Sequence, residues 1–328
     1  MRRAAALVLA GLLAGCSKGT QLPDNAGYGP DPTIPAPDYG WLPPIRIPDP
    51  LHWKGGEMPR VAPGLKVERF ATGLVHPRWL LVLPDGGVLV AEADGPAEPI
   101  KRPKDVVMLL AMKYAKRAVN PPGRISLLRD HDGDGRAESR TTYAEGMEAP
   151  FGMALVGNAL YVADTGALLR FGYREGADQA TGGPALVTPL PHGPINHHWT
   201  RGLIASPDGS RLYVTVGSDS NIGENGMEYE VDRAAILEVD PANGHHRVFA
   251  SGLRNANGMD WNPQTGALWT VVNERDEIGD NASPDYITSV RPGGFYGWPW
   301  AYWGQHVDRR AWPPRPDMVA RAIKPDYG

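Results

Sequence analysis

The segment His197–Ser218, with the sequence HHWTRGLIASPDGSRLYVTVGS, contains an apolar strand, an Asp208-Gly209 turn and a β-rich strand in direct succession. Asp-Gly dipeptides tolerate the positive φ values that two-residue hairpin turns require. The segment therefore predicts a β-hairpin.

The same order of strand, tight turn and strand recurs three times elsewhere. The matching segments are His76–Ala93 (HPRWLLVLPDGGVLVAEA), Ala149–Thr165 (APFGMALVGNALYVADT) and Arg254–Glu274 (RNANGMDWNPQTGALWTVVNE). A second pair of alternating strands follows each hairpin, as in RISLLRD with ESRTTYA. Four short antiparallel strands per unit of roughly 50 residues are typical of a β-propeller blade, whereas a β-sandwich would not repeat its turns at this interval. The sequence therefore predicts an all-β propeller.

The spacing of equivalent positions indicates where the blades and an insertion lie. The equivalent positions are Val90, Val162, Val214 and Trp269, and the first interval is clearly longer than the other two. This difference predicts an insertion near residues 94–122, whose middle (DVVMLLAMKYAKRAV) has the apolar spacing of a helix laid over one face. Four blades fit between Val67 and Trp303, and we expect the start of a fifth in the segment 304–328.

The first sixteen residues have the features of an export signal. Arg2 and Arg3 precede a short apolar stretch that ends in LAGC, of which Cys16 is the last residue. This stretch is shorter than the roughly 20 residues that span a bilayer, so residues 1–16 are interpreted as a lipoprotein signal peptide with Cys16 as the lipidation site. Ser17 after the cysteine favours the outer membrane, with the protein in the periplasm. An ordinary signal peptide with an incidental cysteine is the alternative.

The remainder of the chain divides into a linker and one large domain. Residues 17–55 are rich in Pro, Gly, Asp and Asn without a regular hydrophobic period, which predicts an extended tether. The propeller is expected over residues 56–328, a length that suits one large domain. The formal net charge is −4 with both signs interspersed, so no nucleic-acid partner is expected, and the membrane is contacted only through the lipid anchor.

Three further segments carry a resemblance to a known family. They are NHHWTRGL from Asn196, SGLRNANGM from Ser251 and NERDEIGDNASPDYITSVRPGGFYGWP from Asn273. With GRISLLRD and PFGMAL, they resemble the glucose/sorbosone dehydrogenases, most closely the L-sorbosone dehydrogenase branch, over nearly all of residues 60–328. The resemblance implies a six-bladed propeller that binds pyrroloquinoline quinone (PQQ) and Ca²⁺. Because this chain has too few blades for that ring, a C-terminal truncation is expected.

The resemblance places a catalytic base at His198, through its spacing from Arg201. Oxidation of a sugar hydroxyl requires a base for the O–H proton while hydride leaves the carbon, and histidine is the usual base near neutral pH. His197 would face the opposite side of a strand and is assigned a structural role. A histidine that only hydrogen-bonds neighbouring blades is the alternative for His198.

The resemblance also assigns Arg254, Asn255 and Asn257 as ligands of PQQ. A guanidinium and amide groups suit a tricarboxylate quinone, because they supply a fixed cation and neutral donors. The family usually has Gln at the position of Asn257, so the amide has a shorter reach in this chain. An Arg-Asn pair that only caps a turn is the alternative.

Acidic loops suggest two places for a cation. The loop with Glu274, Asp276, Glu277 and Asp280 provides hard oxygen ligands, and the resemblance implies a Ca²⁺ ion there that polarises the quinone carbonyl. Glu274 and Asp276 are therefore the candidate metal ligands, with a solvated acidic loop as the alternative. Asp130–Gly135 imitates the start of an EF-hand but lacks its closing Glu, so it is interpreted as a hairpin turn, with or without a weak structural Ca²⁺.

Two positions depart from the family pattern. A Gln near the start of the second blade is replaced by Met147 or Glu148. The Asp that assists the catalytic His corresponds to Ser218, with Asp219 beside it.

The resemblance implies a PQQ-dependent dehydrogenase that oxidises an aldose or a sugar aldehyde, with a hydride passing to the quinone. The electron acceptor would be a cytochrome or a quinone. A calcium-dependent lactonase on the same scaffold is one alternative. Such an enzyme would use a carboxylate-rich metal site at the centre of the propeller, and the clustering of candidate carboxylates in the 274–280 loop argues against it. A non-catalytic or truncated binding propeller is the other, because the fold alone does not decide between these functions.

Overall fold

The computed structural model describes residues 22–23, 25–39, 56–96, 100, 106, 109–110, 123–279 and 282–328. Within these residues, four β-sheets follow one another as the blades of a propeller. The inner strands of successive blades contact each other in chain order. The prediction of an all-β propeller is therefore confirmed, and four blades are present in the described part of the chain.

The first two blades are four-stranded antiparallel sheets in which neighbouring strands follow the chain order. The strands of the first blade are β1 (Pro77–Val82), β2 (Val88–Glu92), β3 (Arg124–Arg129) and β4 (Ser139–Ala144). The strands of the second blade are β5 (Met153–Val156), β6 (Ala159–Asp164), β7 (Ala167–Gly172) and β8 (Thr181–Pro189).

The third and fourth blades depart from this plan at their outer edges. The third blade contains β9 (Leu203–Ala205), β10 (Leu212–Val216), β11 (Ala235–Val239) and β12 (His246–Ser251), and a 3₁₀ helix (Met227–Glu230) lies between its second and third strands. The fourth blade contains β13 (Asn255–Trp261), β14 (Leu268–Asn273) and β15 (Tyr286–Ser289). Strand β16 (Gly294–Phe295) then returns to the third blade and adds to β12 in parallel.

The predicted hairpin turns lie where the sequence placed them. Gly209 and Gly266 have φ values of +71° and +69° in the turns that connect the inner two strands of the third and fourth blades. Residues with a Cβ rarely adopt this conformation, so glycine is required there. The second strands of the second and third blades, β6 and β10, are buried along their whole length, because each is covered by a neighbouring blade on either side.

Apolar clusters join each blade to the next. One cluster combines side chains of the first and second blades, including Leu89, Leu127 and Leu160. A second combines the second and third blades, and a third combines the third and fourth blades. Burial of these side chains at about 25 cal/mol per Å² is the main favourable contribution to the stability of the blade stack.

The segment 304–328 does not begin a four-stranded blade, contrary to expectation. Strands β17 (Ala301–Tyr302) and β18 (His306–Val307) form a short hairpin, and helix α1 (Pro316–Arg321) follows it. Tyr327 then forms an antiparallel bridge with Ile287 of β15, with backbone N–H···O distances of 2.9 and 3.1 Å. The final residues therefore extend the outer edge of the fourth blade, which satisfies backbone groups that an edge strand would otherwise expose.

Part of the segment predicted as a tether is docked on the propeller. Gly29 and Gly328 exchange backbone hydrogen bonds of 3.1 and 2.8 Å, and Lys324 forms an ion pair with Asp31 at 2.5 Å. Ile34 and Tyr39 pack against the apolar cluster between the third and fourth blades. Residues 25–39 are therefore not a free spacer, because their apolar side chains find a complementary surface.

Several sequence predictions lie outside the described residues. These are the signal peptide 1–16 with Cys16, most of the remaining tether, and nearly all of the helical insertion near 94–122, of which Val106, Leu109 and Leu110 are described as helical and exposed. In the part of the chain that the structure describes, we find no helix with the length and apolar character of a membrane span.

Candidate functional site

One face of the propeller collects the chemically interesting side chains. The inner strands β1, β5, β9 and β13 begin at this face, and the second strands, which run antiparallel to them, end there. The loop before β9 carries His198, the residues after β10 include Ser218, and Arg254 directly precedes β13. The topology therefore brings these three residues to the same face.

His198 is held by Ser218 in a defined tautomeric state. Its Nδ1 lies 3.0 Å from the carbonyl oxygen and 2.9 Å from Oγ of Ser218. The Ser218 hydroxyl donates its hydrogen to the carbonyl oxygen of Ser220 at 2.6 Å, and a carbonyl oxygen only accepts. Nδ1 must therefore be the donor, which leaves Nε2 unprotonated and able to accept a proton.

The electrostatic surroundings keep the imidazole neutral. Burial lowers the pKa of His198 well below its usual value, and the Arg254 guanidinium lowers it further. The hydrogen bond with Ser218 acts in the opposite direction, whereas His197 and Arg233 also lower the pKa. His198 is therefore in the form that a general base requires at neutral pH.

Gly217 brings His198 and Asn255 together. A Cβ atom at Gly217 would lie 2.4 Å from Cβ of His198 and 2.7 Å from Oδ1 of Asn255. Both distances are far below van der Waals contact, so only glycine allows the two side chains to approach from either side. The end of β10 thereby determines the geometry of the site.

Arg254 has a protein acceptor for every donor direction of its guanidinium. Nε donates to the carbonyl oxygen of Asn221 (3.3 Å), Nη1 to the carbonyl oxygens of Asn273 (3.3 Å) and Glu274 (2.6 Å), and Nη2 to Oδ1 of Asn221 (2.9 Å) and Oδ2 of Asp276 (2.5 Å). The Arg254 side chain is 3% exposed, but that of Asp276 is 72% exposed. An acidic ligand could therefore reach the guanidinium only if the Asp276 carboxylate moves aside.

The two predicted amide ligands border the His198 loop. Oδ1 of Asn255 is buried and has no hydrogen-bond partner among the described residues. Asn257 donates from Nδ2 to Oδ1 of Asn273 at 2.5 Å, and its Oδ1 accepts a hydrogen bond of 2.7 Å from Thr200. Asn255 thus retains a free acceptor beside His198, whereas both polar groups of Asn257 are already used within the protein.

The two predicted calcium ligands have different surroundings in the structure. Asp276 is paired with Arg254, as described above, and Glu274 is 2% exposed. Burial raises the pKa of Glu274 to about 8, although Arg254 lowers it, and Oε2 of this residue has no partner in the described structure. The guanidinium groups of Arg254 and Arg275 also lie close enough to this carboxyl group to lower its pKa. The assignment of Glu274 and Asp276 as Ca²⁺ ligands therefore stays a prediction.

The other acidic loop forms the hairpin turn between β3 and β4. Carboxylate oxygens of Asp130, Asp132, Asp134 and Glu138 lie within 4.8 Å of one another, and all but Asp130 are exposed. The Asp130 carboxylate accepts hydrogen bonds from the backbone N–H groups of Gly133 (2.7 Å) and Gly135 (2.9 Å). These bonds account for the acidic residues as turn-forming groups, in agreement with the interpretation as a hairpin.

The two positions in place of the family's Gln provide no obvious ligand group. Met147 is buried in the apolar cluster between the first and second blades. Glu148 is exposed, and its backbone N–H donates to the Asp164 carboxylate at 3.0 Å.

Sequence reasoning missed Arg78 and Trp199. The Arg78 guanidinium lies 5.3 Å from the ring centroid of Trp199 and donates to Oδ1 of Asp94 at 3.0 Å. Trp199 also contacts Phe151 edge-to-face, with ring centroids 5.9 Å apart. Trp199 directly follows His198 in the chain, so this cation–π pair lies at the same face of the propeller. A charged residue at the start of a predicted inner strand is the sequence feature that could have indicated Arg78.

Comparison with known proteins places the chain in a family. Residues 120–294, more than half of the 328 residues, match the family model described as TrAA12-like. A stretch of 101 residues is also 27% identical to an uncharacterised protein of Borreliella burgdorferi. This stretch covers 31% of the chain and 26% of that protein, so the match spans only about a quarter of the curated relative.

Solved structures with the same fold include sugar-oxidising enzymes. The calcium structure of the Trichoderma reesei protein of Carbohydrate-Active Enzymes Family AA12 is 19% identical, with a TM-score of 0.64 over 86% of this chain and 72% of that chain. The holo form of the pyranose dehydrogenase PQQ domain from Coprinopsis cinerea is 18% identical, with a TM-score of 0.61 over 81% and 68%. The PQQ-bound aldose sugar dehydrogenase of Streptomyces coelicolor is 20% identical, with a TM-score of 0.52 over 79% and 70%. At these identities the likeness establishes the fold.

Proposed function

The chain belongs to the TrAA12-like family, and on that basis we propose that it is a PQQ-dependent oxidoreductase that oxidises an aldose or a sugar aldehyde. The observation that carries the proposal is the His198 imidazole, whose Nε2 is left as a free base beside a buried guanidinium. Two proteins of the same fold are described as PQQ-containing sugar dehydrogenases, which supports the cofactor class and the substrate class.

The residues around His198 suit an acidic quinone cofactor in part. Arg254 provides a buried cation whose exposed partner, Asp276, can be displaced. Oδ1 of Asn255, which has no partner in the described structure, only accepts hydrogen bonds, so it suits an N–H donor of a ligand and not a carboxylate. PQQ, when bound, would accept the hydride from the substrate carbon. His198 would remove the hydroxyl proton at Nε2, while the Nδ1–H bond to Ser218 keeps the ring oriented.

The proposal is tested by adding PQQ to the purified protein, with and without Ca²⁺, and following dye reduction with aldoses and sugar aldehydes. We expect turnover with PQQ and a preference for a sugar aldehyde if the resemblance to the sorbosone branch extends to substrate. Calcium is a separate arm of the assay because its ligands are not assigned. Binding without turnover would favour a non-catalytic propeller, and hydrolysis of a lactone without dye reduction would favour the lactonase.

The acidic limb of the pH profile follows from the pKa of His198. Burial and the Arg254 cation lower this pKa, so the neutral base persists to lower pH than in a free histidine. We expect kcat/KM to fall only below about pH 6.5, the unperturbed value for histidine. The dependence of kcat/KM on pH, measured with the PQQ-loaded protein, gives the pH at which activity falls. A fall that begins above about pH 6.5 would contradict the assignment of His198 as the base.

The Asp276→Asn substitution is expected to tighten the binding of PQQ. It removes a carboxylate that competes for Arg254, and exposed ion pairs of this kind contribute about 0.2–1 kcal/mol, which corresponds to at most about a fivefold lower Kd. Absorbance titration of the apoprotein measures the change. Asp260→Asn, at an exposed position of β13, is the matched control and should leave the Kd unchanged. Weaker binding in Asp276→Asn would argue that Asp276 itself contacts the ligand.

We also propose that the protein is a lipoprotein of the cell envelope, anchored in the outer membrane through Cys16. The LAGC sequence before Ser17 supports this proposal. Labelling of cells with a radioactive fatty acid should mark the wild type and not Cys16→Ser. Label in both proteins, or in neither, would leave the alternative of an ordinary signal peptide.

A further inference from the structure

A buried carboxylate behind the site has all its contacts with a single turn. Glu230 ends the 3₁₀ helix and is 7% exposed. Its Oε2 accepts the backbone N–H of Asp219 at 2.8 Å, and its Oε1 accepts the N–H (3.2 Å) and the hydroxyl (3.0 Å) of Ser220. The hydrogen bonds reported for this side chain are therefore all with the 218–220 turn, and Arg233 is close enough to lower its pKa.

The same turn holds His198 from its other side. Ser218 accepts the Nδ1–H group of His198, and the Ser218 hydroxyl donates to the carbonyl oxygen of Ser220. A continuous sequence of contacts therefore runs from the Glu230 carboxylate through Ser220 and Ser218 to the imidazole. The position of the two Ser218 oxygens, the carbonyl at 3.0 Å and the hydroxyl at 2.9 Å from Nδ1, determines that this nitrogen of His198 carries the proton.

A buried arginine, Arg233, binds two backbone carbonyl groups at the start of this turn. Arg233 donates from Nε to the carbonyl oxygen of Gly217 at 3.0 Å and from Nη2 to that of Ser218 at 3.1 Å. Glu230 thus binds the N–H groups of Asp219 and Ser220, and Arg233 binds the carbonyl groups of Gly217 and Ser218. Burial of a carboxylate is costly unless it is fully hydrogen-bonded. A turn forms without a buried carboxylate, so turn formation alone does not account for Glu230 at this position.

We propose that Glu230 is a positioning residue for His198, which fixes the Nδ1–H tautomer by holding the 218–220 turn and thereby both Ser218 oxygens at the imidazole. The proposal rests on the function proposed for His198 above. Without Glu230, the N–H groups of Asp219 and Ser220 lose their acceptor, and the turn can shift so that both Ser218 oxygens move away from Nδ1. The proton of the ring then moves to Nε2, and the base at the reacting side is lost.

The tautomeric state can be measured directly in the protein without cofactor. Nitrogen-15 NMR of labelled imidazole rings distinguishes Nδ1–H from Nε2–H, and the His198 signals are assigned by their absence in His198→Gln. The measurement is made in mildly alkaline buffer, because burial raises the pKa of Glu230 to about 7 and the carboxylate should be ionised. We expect Nδ1–H in the wild type and an increased fraction of Nε2–H in Glu230→Gln.

Kinetics provide a second measurement. In the loaded enzyme, Glu230→Gln should lower kcat by about 10- to 100-fold with little change in KM, because misplacement of a catalytic group affects the chemical step. Glu238→Gln is the matched control, since Glu238 lies on β11 of the same blade and bonds Tyr213 and Arg247 instead of the turn. Ser220→Ala removes only one of the three contacts of Glu230 and should produce a smaller shift in the same direction, which covers the case that Glu230→Gln does not fold.

The outcomes separate this inference from the proposed function. An unchanged tautomer in both Glu230→Gln and Ser220→Ala would overturn the inference, whatever happens to their melting temperatures. Loss of turnover in His198→Gln together with an unchanged tautomer in these two variants would leave the proposed function intact. A wild type that shows no turnover while its tautomer still depends on Glu230 would overturn the proposed function and support the positioning role.

Discussion

The His198→Gln variant is expected to lower kcat for sugar oxidation by about 10²- to 10⁴-fold, which is the usual contribution of a general base. Glutamine preserves a polar side chain of similar reach, but it has no nitrogen that accepts a proton near neutral pH. The hydrogen bonds of Ser218 to Ser220 do not involve the imidazole, so we expect the fold to be preserved. Stopped-flow or steady-state dye reduction with the PQQ-loaded protein measures the loss.

The matched control is His245→Gln. His245 is exposed and follows the turn between β11 and β12, at the face of the propeller opposite His198. Its replacement should leave kcat within about twofold, as expected for a surface substitution. Turnover of His198→Gln comparable with that of this control would mean that another group removes the proton.

The second large effect is expected for Gly217→Ala. The added methyl group would overlap Cβ of His198 and Oδ1 of Asn255, so both side chains must move. Overpacking of this kind costs about 1–3 kcal/mol of stability. A displacement of about 1 Å at a catalytic group can lower the rate by about 10²-fold, so we expect loss of activity beyond what the loss of stability explains.

Gly183→Ala distinguishes crowding from a general effect of removing glycine. A Cβ at Gly183 in β8 meets no atom within 4 Å, so this variant should match the wild type in both melting temperature and kcat. Denaturant unfolding and steady-state kinetics on the two variants measure both properties. If Gly217→Ala retained wild-type activity, the close packing of His198 against β10 would not be needed for function.

The sequence predicted those parts of the fold that depend on local rules. The turn at Gly209 and the strand β10 both follow from residues that are close in the chain, because turn dipeptides and strand propensity act locally. The docking of residues 25–39 could not be predicted in this way. Its apolar partners belong to the third and fourth blades, far along the chain, and the Pro-rich composition alone indicates an extended segment.

The site was predictable where a motif placed a single residue and unpredictable where residues depend on one another. His198 and its partner Ser218 lie together, as the resemblance indicated. The pairing of Asp276 with Arg254 was not foreseen, because a carboxylate in an acidic loop looks the same whether it faces a cation or solvent. Glu230 gave no signal either, since it is one acidic residue in a long polar connection and acquires its role through burial.

The contact between Gly29 and Gly328 has a consequence for the order in which the molecule assembles. The two residues lie towards opposite ends of the sequence, and a ribosome releases the amino-terminal part of a chain first. The hydrogen bonds between Gly29 and Gly328 close a loop of about 300 residues, and the entropic cost of closing a loop grows with the logarithm of its length. We therefore expect these hydrogen bonds to form only after the intervening blades have folded and shortened the distance between the two residues. Residues 25–39 leave the ribosome before the four blades, and we therefore expect them to be among the last residues to reach their place.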